Sequence, residues 1–138
     1  MEVVIIRAKE GNIISKTREK GDLKEVVKKK VMEALSLWNV EKADFTVIRD
    51  PQYPISVKLP ITKEQYEIYS QYNMSRTSEG TVVFHIPVYI ISFDNEYTDE
   101  NYIDKEVFVI APALDEKAEE ALLELALQTT SPEEEEEL

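Results

Sequence analysis

Short runs of β-branched and other apolar residues, separated by turn residues, predict six strands. Gly11 and Asn12 readily adopt positive φ, so the first two strands form a hairpin. In the fifth strand both faces are largely apolar, and Pro87 near its centre indicates a bulge or an edge position, because proline lacks the amide hydrogen that a ladder needs. The predicted strands cover residues 2–7, 12–17, 45–49, 55–59, 81–93 and 106–111.

Three segments with apolar residues at intervals of three and four predict helices. Asp22 and Glu25 form a capping-box pattern before the first helix, and Thr62 and Gln65 form another before the second. Asp115 is placed to cap the third. The predicted helices run over 23–38, over 63–72, and from the Asp115 cap to residue 127.

The resulting order of elements is ββαββαββα, which predicts an α+β fold. Strand pairs joined by short connections favour an antiparallel or mixed sheet, with the three helices in a single layer on one face. At 138 residues the chain is long enough for one domain, which we place at residues 1–130. Residues 131–138 are predicted to form a disordered acidic tail.

The composition indicates a cytoplasmic protein. The chain has no cysteine, which excludes disulfides, thiolate catalysis and iron–sulfur clusters. No apolar run approaches the roughly 20 residues that span a bilayer, and the first residues do not form a secretory signal. Only 3 glycines and 32% charged residues resemble the composition of thermophile proteins. We therefore expect no membrane partner.

Charge is divided unevenly along the chain. Residues 1–75 carry 13 basic and 11 acidic side chains, whereas residues 76–138 carry 3 basic and 17 acidic ones, within a net charge of −12. The acidic half concentrates its carboxylates in a predicted loop, residues 94–104, and in the tail at 133–137. Such a surface attracts a cation or a basic protein, and it makes binding to nucleic acid unfavourable.

The acidic segment 94–104 is the main candidate for a binding site. Its tyrosines strengthen the prediction, because tyrosine is enriched at protein interfaces. The partner is a basic protein or a second copy of this chain, whose basic stretch 16–30 is complementary in charge. The predicted interface residues are Asp94, Glu96, Tyr97, Asp99, Glu100, Tyr102 and Asp104.

A divalent metal site is the alternative for the same carboxylates. Clustered oxygen atoms suit Mg²⁺ or Ca²⁺, and a bound metal could support hydrolysis. The segment does not match an EF-hand, which has glycine at its sixth position and glutamate at its twelfth, where this chain has Asp99 and Lys105. The ligands of this alternative site are Asp94, Glu96, Asp99, Glu100 and Asp104, with His85 as a further candidate.

The sequence contains no catalytic signature. His85 is the only histidine and lies in the middle of a strand, outside any catalytic motif. The glycines are too scattered for a Walker or dinucleotide-binding loop. We therefore predict no catalytic residue and no cofactor, and the favoured function is non-enzymatic protein association.

Overall fold

Six strands and three helices make up the part of the chain that the computed structural model describes, residues 1–37, 43–76, 80–97 and 102–130. The predicted α+β class is confirmed, and the order of elements matches the prediction in outline. The elements are β1 (Glu2–Lys9), β2 (Asn12–Lys20), α1 (Leu23–Leu37), β3 (Ala43–Lys58), α2 (Lys63–Tyr69), β4 (Asn73–Arg76), β5 (Thr81–Tyr97), β6 (Tyr102–Pro112) and α3 (Glu116–Thr130).

All six strands belong to one antiparallel sheet. Five of them lie side by side in the order β2-β1-β6-β5-β3. The fourth, β4, pairs with the first part of β5, while β6 pairs with the second part from Tyr89 onward. The long strand β5 therefore has β3 on one side, and β4 followed by β6 on the other.

Two predicted strands, 45–49 and 55–59, form the single strand β3. Its register against β5 shifts between Asp50 and Tyr53, so that Pro51 and Gln52 oppose the single residue Pro87. This is the geometry of a bulge, which was one of the two alternatives, a bulge or an edge position, that the sequence predicted at Pro87. The strand β4 was not predicted, and the order of elements is therefore ββαβαβββα.

The helices cover both faces of the sheet, which corrects the predicted single layer on one face. Successive side chains of β1 and β6 point to opposite faces, and both sets are apolar and buried. Other elements therefore have to pack against both faces of the sheet. The face under α2 and α3 includes Val4, Ile6, Val107, Val109, Leu122 and Ala126. The face under α1 includes Val3, Ile5, Val26, Val27, Phe108 and Ile110.

The predicted helix caps differ in how far they are confirmed. Thr62 Oγ1 accepts the Gln65 amide at 3.0 Å, and Gln65 Oε1 accepts the Thr62 amide at 3.1 Å, which completes the predicted capping box. The Glu25 amide donates to Asp22 Oδ2 at 3.4 Å. The predicted tail lies outside the described residues. Within the described part of the chain, no helix has the length and apolar character needed to cross a membrane.

A buried carboxylate connects the outer strand β2 to α3. Glu119 is 1% exposed, and its Oε1 accepts Lys16 Nζ at 2.8 Å and Arg18 Nη2 at 2.6 Å. Its Oε2 accepts the amide of Leu114 at 2.8 Å. Burial opposes the charged form of Glu119, but Lys16, the Leu114 amide and Arg18 outweigh it, so its pKa lies below the usual value.

We predict that Glu119→Gln lowers the free energy of unfolding at neutral pH by about 2 kcal/mol, because it removes a paired buried charge. Glu119 has a lower pKa in the folded chain than in the unfolded one. Its contribution is therefore complete at neutral pH and is lost as the pH falls below about 4.3 toward the folded pKa. Urea unfolding at a series of pH values should show the difference between the two proteins shrinking toward low pH.

Glu124→Gln is the matched control, because Glu124 is exposed on the same helix and makes no ion pair with a described residue. This variant should unfold like the original protein at every pH. A loss of stability in Glu119→Gln that stays constant between pH 7 and pH 3 would contradict the role of the charge.

Candidate functional site

Most of the predicted acidic loop is a continuation of two strands. β5 extends to Tyr97 and β6 begins at Tyr102, so only residues 98–101 lie between them. The register pairs Asp94 with Lys105 and Tyr97 with Tyr102. Sequence reasoning ended the strands early, because aspartate, asparagine and glutamate have low strand propensity and the pairing with β3 and β6 was not visible.

The structure places five of the seven predicted interface residues at the end of this hairpin. Asp94, Glu96 and Tyr97 lie in β5, and Tyr102 and Asp104 lie in β6. Asp99 and Glu100 lie outside the described residues.

The hairpin extends beyond β1. β1 pairs with β6 only from Pro112 to Glu106, which leaves the four residues Tyr102–Lys105 past its end. At about 3.3 Å per residue, this part of the hairpin projects by roughly 13 Å. In the described part of the chain, no strand pairs with this edge of β6. The hairpin end therefore combines a free backbone edge with an acidic sequence.

His85 does not share a site with the acidic segment. It lies on the same continuous strand as Asp94, nine residues earlier, which corresponds to roughly 30 Å. That distance is too long for two ligands of one metal ion. Among the described residues, no three His, Asp or Glu side chains lie close enough together to hold a metal ion.

The surroundings of His85 fit a structural role. Its Nε2 lies 3.1 Å from Ser75 Oγ, and its Nδ1 is buried with no hydrogen-bond partner among the described residues. The contact with Ser75 joins β5 to the neighbouring strand β4.

The basic stretch 16–30 is partly neutralised by contacts within the chain. Lys16 and Arg18 bind Glu119, and Lys29 and Lys30 each lie 3.3 Å from an oxygen of Glu19. Burial of Glu19 opposes its charge, yet the two lysines hold its pKa below the usual value. In contrast, three exposed basic side chains make no ion pair with a described residue: Lys20, Lys24 and Lys28.

A cleft of about 450 Å³ lies where β3, α2 and α3 meet. Residues 54–58 of β3 form one side, and Lys117, Ala118 and Ala121 of α3 form the other. Gln65 and Tyr69 of α2 close one end. Volumes of this size are typical of ligand sites in proteins. Within the described chain, neither Lys58 nor Lys117 makes an ion pair.

The inner end of the cleft is fixed by Tyr69 and Asp115. Tyr69 is fully buried and stacks on Phe84 with ring centroids 4.8 Å apart. Its hydroxyl donates a hydrogen bond to Asp115 Oδ1. Burial and the Asp115 carboxylate both raise the pKa of Tyr69 far above its usual value, so the side chain stays neutral and keeps donating. The pair therefore serves as a rigid support for the cleft.

Beyond Asp115 the cleft opens into an acidic pocket. This pocket has a volume of about 510 Å³, and it shares Asp115 and Lys117 with the cleft. Its other lining residues, Glu64, Glu116 and Glu120, are exposed and make no ion pair with a described residue. The four carboxylates and one lysine give the pocket a formal charge of −3.

Sequence reasoning did not find this cleft. Asp115 was identified only as a helix cap, and Tyr69 only as part of an apolar helix face. Their contact joins residues 46 positions apart, which no local pattern reveals. The signal available in the sequence was the pair of prolines, Pro54 and Pro60, on either side of the predicted strand 55–59, because proline is common in edge strands.

Comparison with known proteins yields one family. The chain matches the family described as "Uncharacterized protein conserved in archaea (DUF2286)" over residues 2–131. No curated protein and no solved structure matches it. Because the match includes every strand and helix described above, the chain belongs to this family of uncharacterized proteins conserved in archaea.

Proposed function

We propose that this chain acts by protein association, through the acidic hairpin end at residues 94–104. The observation that carries the proposal is the extension of the hairpin past β1, with a free backbone edge at Tyr102–Lys105. A projecting segment meets a partner with little steric hindrance. Its excess of carboxylates selects a basic surface over an acidic one.

A second copy of the chain is the partner that we test first. Lys24 and Lys28 lie four residues apart on α1, so they share one exposed face of the helix. Their charges are not used within the described chain, in contrast to those of Lys29 and Lys30. The acidic hairpin of one copy and this basic face of another are complementary, and repeated contacts of this kind build an oligomer.

We predict that the chain self-associates at low ionic strength and dissociates as salt is added. Raising KCl from about 0.05 M to about 0.5 M shortens the screening length from more than 10 Å to less than 5 Å. Light scattering or sedimentation should therefore show the average mass falling. A mass that does not change with salt would contradict an electrostatic interface.

We predict that neutralising the hairpin weakens association about tenfold or more, since most of the attraction comes from its charge. The variant carries Asp94→Asn, Glu96→Gln, Asp99→Asn, Glu100→Gln and Asp104→Asn. The matched control replaces Glu133–Glu137 by Gln, which changes the net charge by the same amount at a different place. Equal weakening by both would show that net charge, and not the hairpin, governs association.

A charge exchange makes the test specific to the second copy. Lys24→Glu with Lys28→Glu should abolish self-association, as should Asp99→Lys with Glu100→Lys. When these two variants are mixed, association should return, because each supplies the surface that the other has lost. If the mixture stays monomeric while the hairpin still binds a lysine-rich peptide, the partner is another basic protein.

The metal alternative predicts a different response to divalent ions. Under the association proposal, Mg²⁺, Ca²⁺ and Mn²⁺ raise the melting temperature no more than KCl of equal ionic strength does. A metal bound only by the folded chain would instead raise it in proportion to the logarithm of the metal concentration. If Asp94→Asn with Asp99→Asn removes such an increase, the segment is a metal site.

A further inference from the structure

The outer edge of β3 is open beside the cleft. β3 is the last strand in the sheet, and in the described part of the chain only β5 pairs with it. Leu59 donates its amide to the carbonyl of Gly80 at 2.8 Å, in register with the pairing of Lys58 with Thr81. Antiparallel ladders alternate, so the backbone groups of Val57 face β5 and those of Ser56 and Lys58 face outward.

The segment that carries these outward groups also lines the cleft. Residues 54–58 line it along one side, opposite the small side chains of Ala118 and Ala121 on α3. A free strand edge that faces a helix across a groove is the geometry in which an extended peptide adds as a further strand. Pro54 has no amide hydrogen, so the donors offered to such a peptide are the amides of Ser56 and Lys58.

The adjoining pocket indicates the chemistry of the peptide. Glu64, Glu116 and Glu120 are exposed carboxylates without an ion pair to a described residue, and they lie at the end of the cleft beyond Asp115. A lysine or arginine side chain is complementary to this pocket. The cleft itself presents the apolar side chains of Ile55, Val57 and Ala118, which suit an apolar residue of the peptide.

We propose that the β3 edge binds an extended segment of another protein that carries an apolar residue and a lysine or arginine two positions apart, so that both side chains point to the face covered by α2 and α3. Its backbone pairs with Ser56 and Lys58, one apolar side chain enters the cleft, and a basic side chain enters the acidic pocket. This surface is separate from the hairpin at residues 94–104, and binding here does not require self-association.

The test uses the full chain and a seven-residue capped peptide with valine and lysine in turn at the odd positions and serine at the even positions, so that valine and lysine share one face. Fluorescence anisotropy measures the affinity, and amide hydrogen exchange locates the site. On binding, the amides of Ser56 and Lys58 should exchange at least tenfold more slowly. The same peptide with glutamate at its basic positions should bind at least tenfold more weakly, because it meets the acidic pocket with like charge.

Two variants separate the backbone contact from the side chains. Ser56→Pro removes an outward amide that the ladder does not use, and it should weaken binding about tenfold, the loss expected for one hydrogen bond of about 1.4 kcal/mol. Ser56→Ala keeps the amide and should bind normally. A peptide methylated on the backbone nitrogens that face β3 gives the same test without changing the protein.

The acidic pocket is tested by Glu116→Gln with Glu120→Gln, which should weaken binding at least fivefold and reduce its salt dependence. Glu124→Gln, on the exposed surface of the same helix, is the control. The proposal is wrong if the valine–lysine peptide does not bind at millimolar concentration. It is also wrong if Ser56→Pro and the methylated peptide both bind normally. Slower amide hydrogen exchange that is confined to the hairpin strands, or that appears only in a chain that has dimerised, would contradict it as well.

Discussion

The length of β5 is the constraint on which the sheet depends. This strand pairs with β3 along one side, and on the other side first with β4 and then with β6. Pro87 lies where β5 changes its neighbouring strand, after the last residue that pairs with β4 and before the first that pairs with β6. On the side of β3 it faces the bulge at Pro51 and Gln52. Proline has no amide hydrogen to donate, and Pro87 thus occupies a position in β5 where neither neighbouring strand needs that hydrogen bond.

Ion pairs within the chain connect the two halves between which charge is divided in the sequence. Arg7 Nε binds Glu106 Oε2 at 2.6 Å across the sheet, and Lys16 and Arg18 bind Glu119. Each of these contacts joins the nearly neutral first half of the chain to the acidic second half. Because Glu106 and Glu119 are almost completely buried, loss of a paired cation would leave a buried carboxylate with fewer partners, which destabilises the fold. The charges left for a partner are the ones that the fold does not use.

Open strand edges are the common feature of the two proposed interaction surfaces. Exposed edges promote unspecific pairing, and proteins limit this with charge, proline and short lengths. The outer strand β2 follows this rule, since it is exposed and carries Lys16, Arg18 and Glu19. The edge of β3 has Pro54 and a helix beside it, and the hairpin end is acidic. Under the two proposals, these features favour partners of opposite charge at each edge.

The sequence by itself determined the α+β class, the capping box at Thr62 and Gln65, an interruption of regular pairing at Pro87 and the acidic character of the hairpin. These features depend on residues that are near in sequence, where periodicity and backbone preference act. The tertiary structure alone decided that helices cover both faces, that β3 is one strand, and that Tyr69 meets Asp115 beside an open edge. Those outcomes depend on which distant segments pair and bury each other, and the free energy of such contacts is not encoded in any local pattern of the chain.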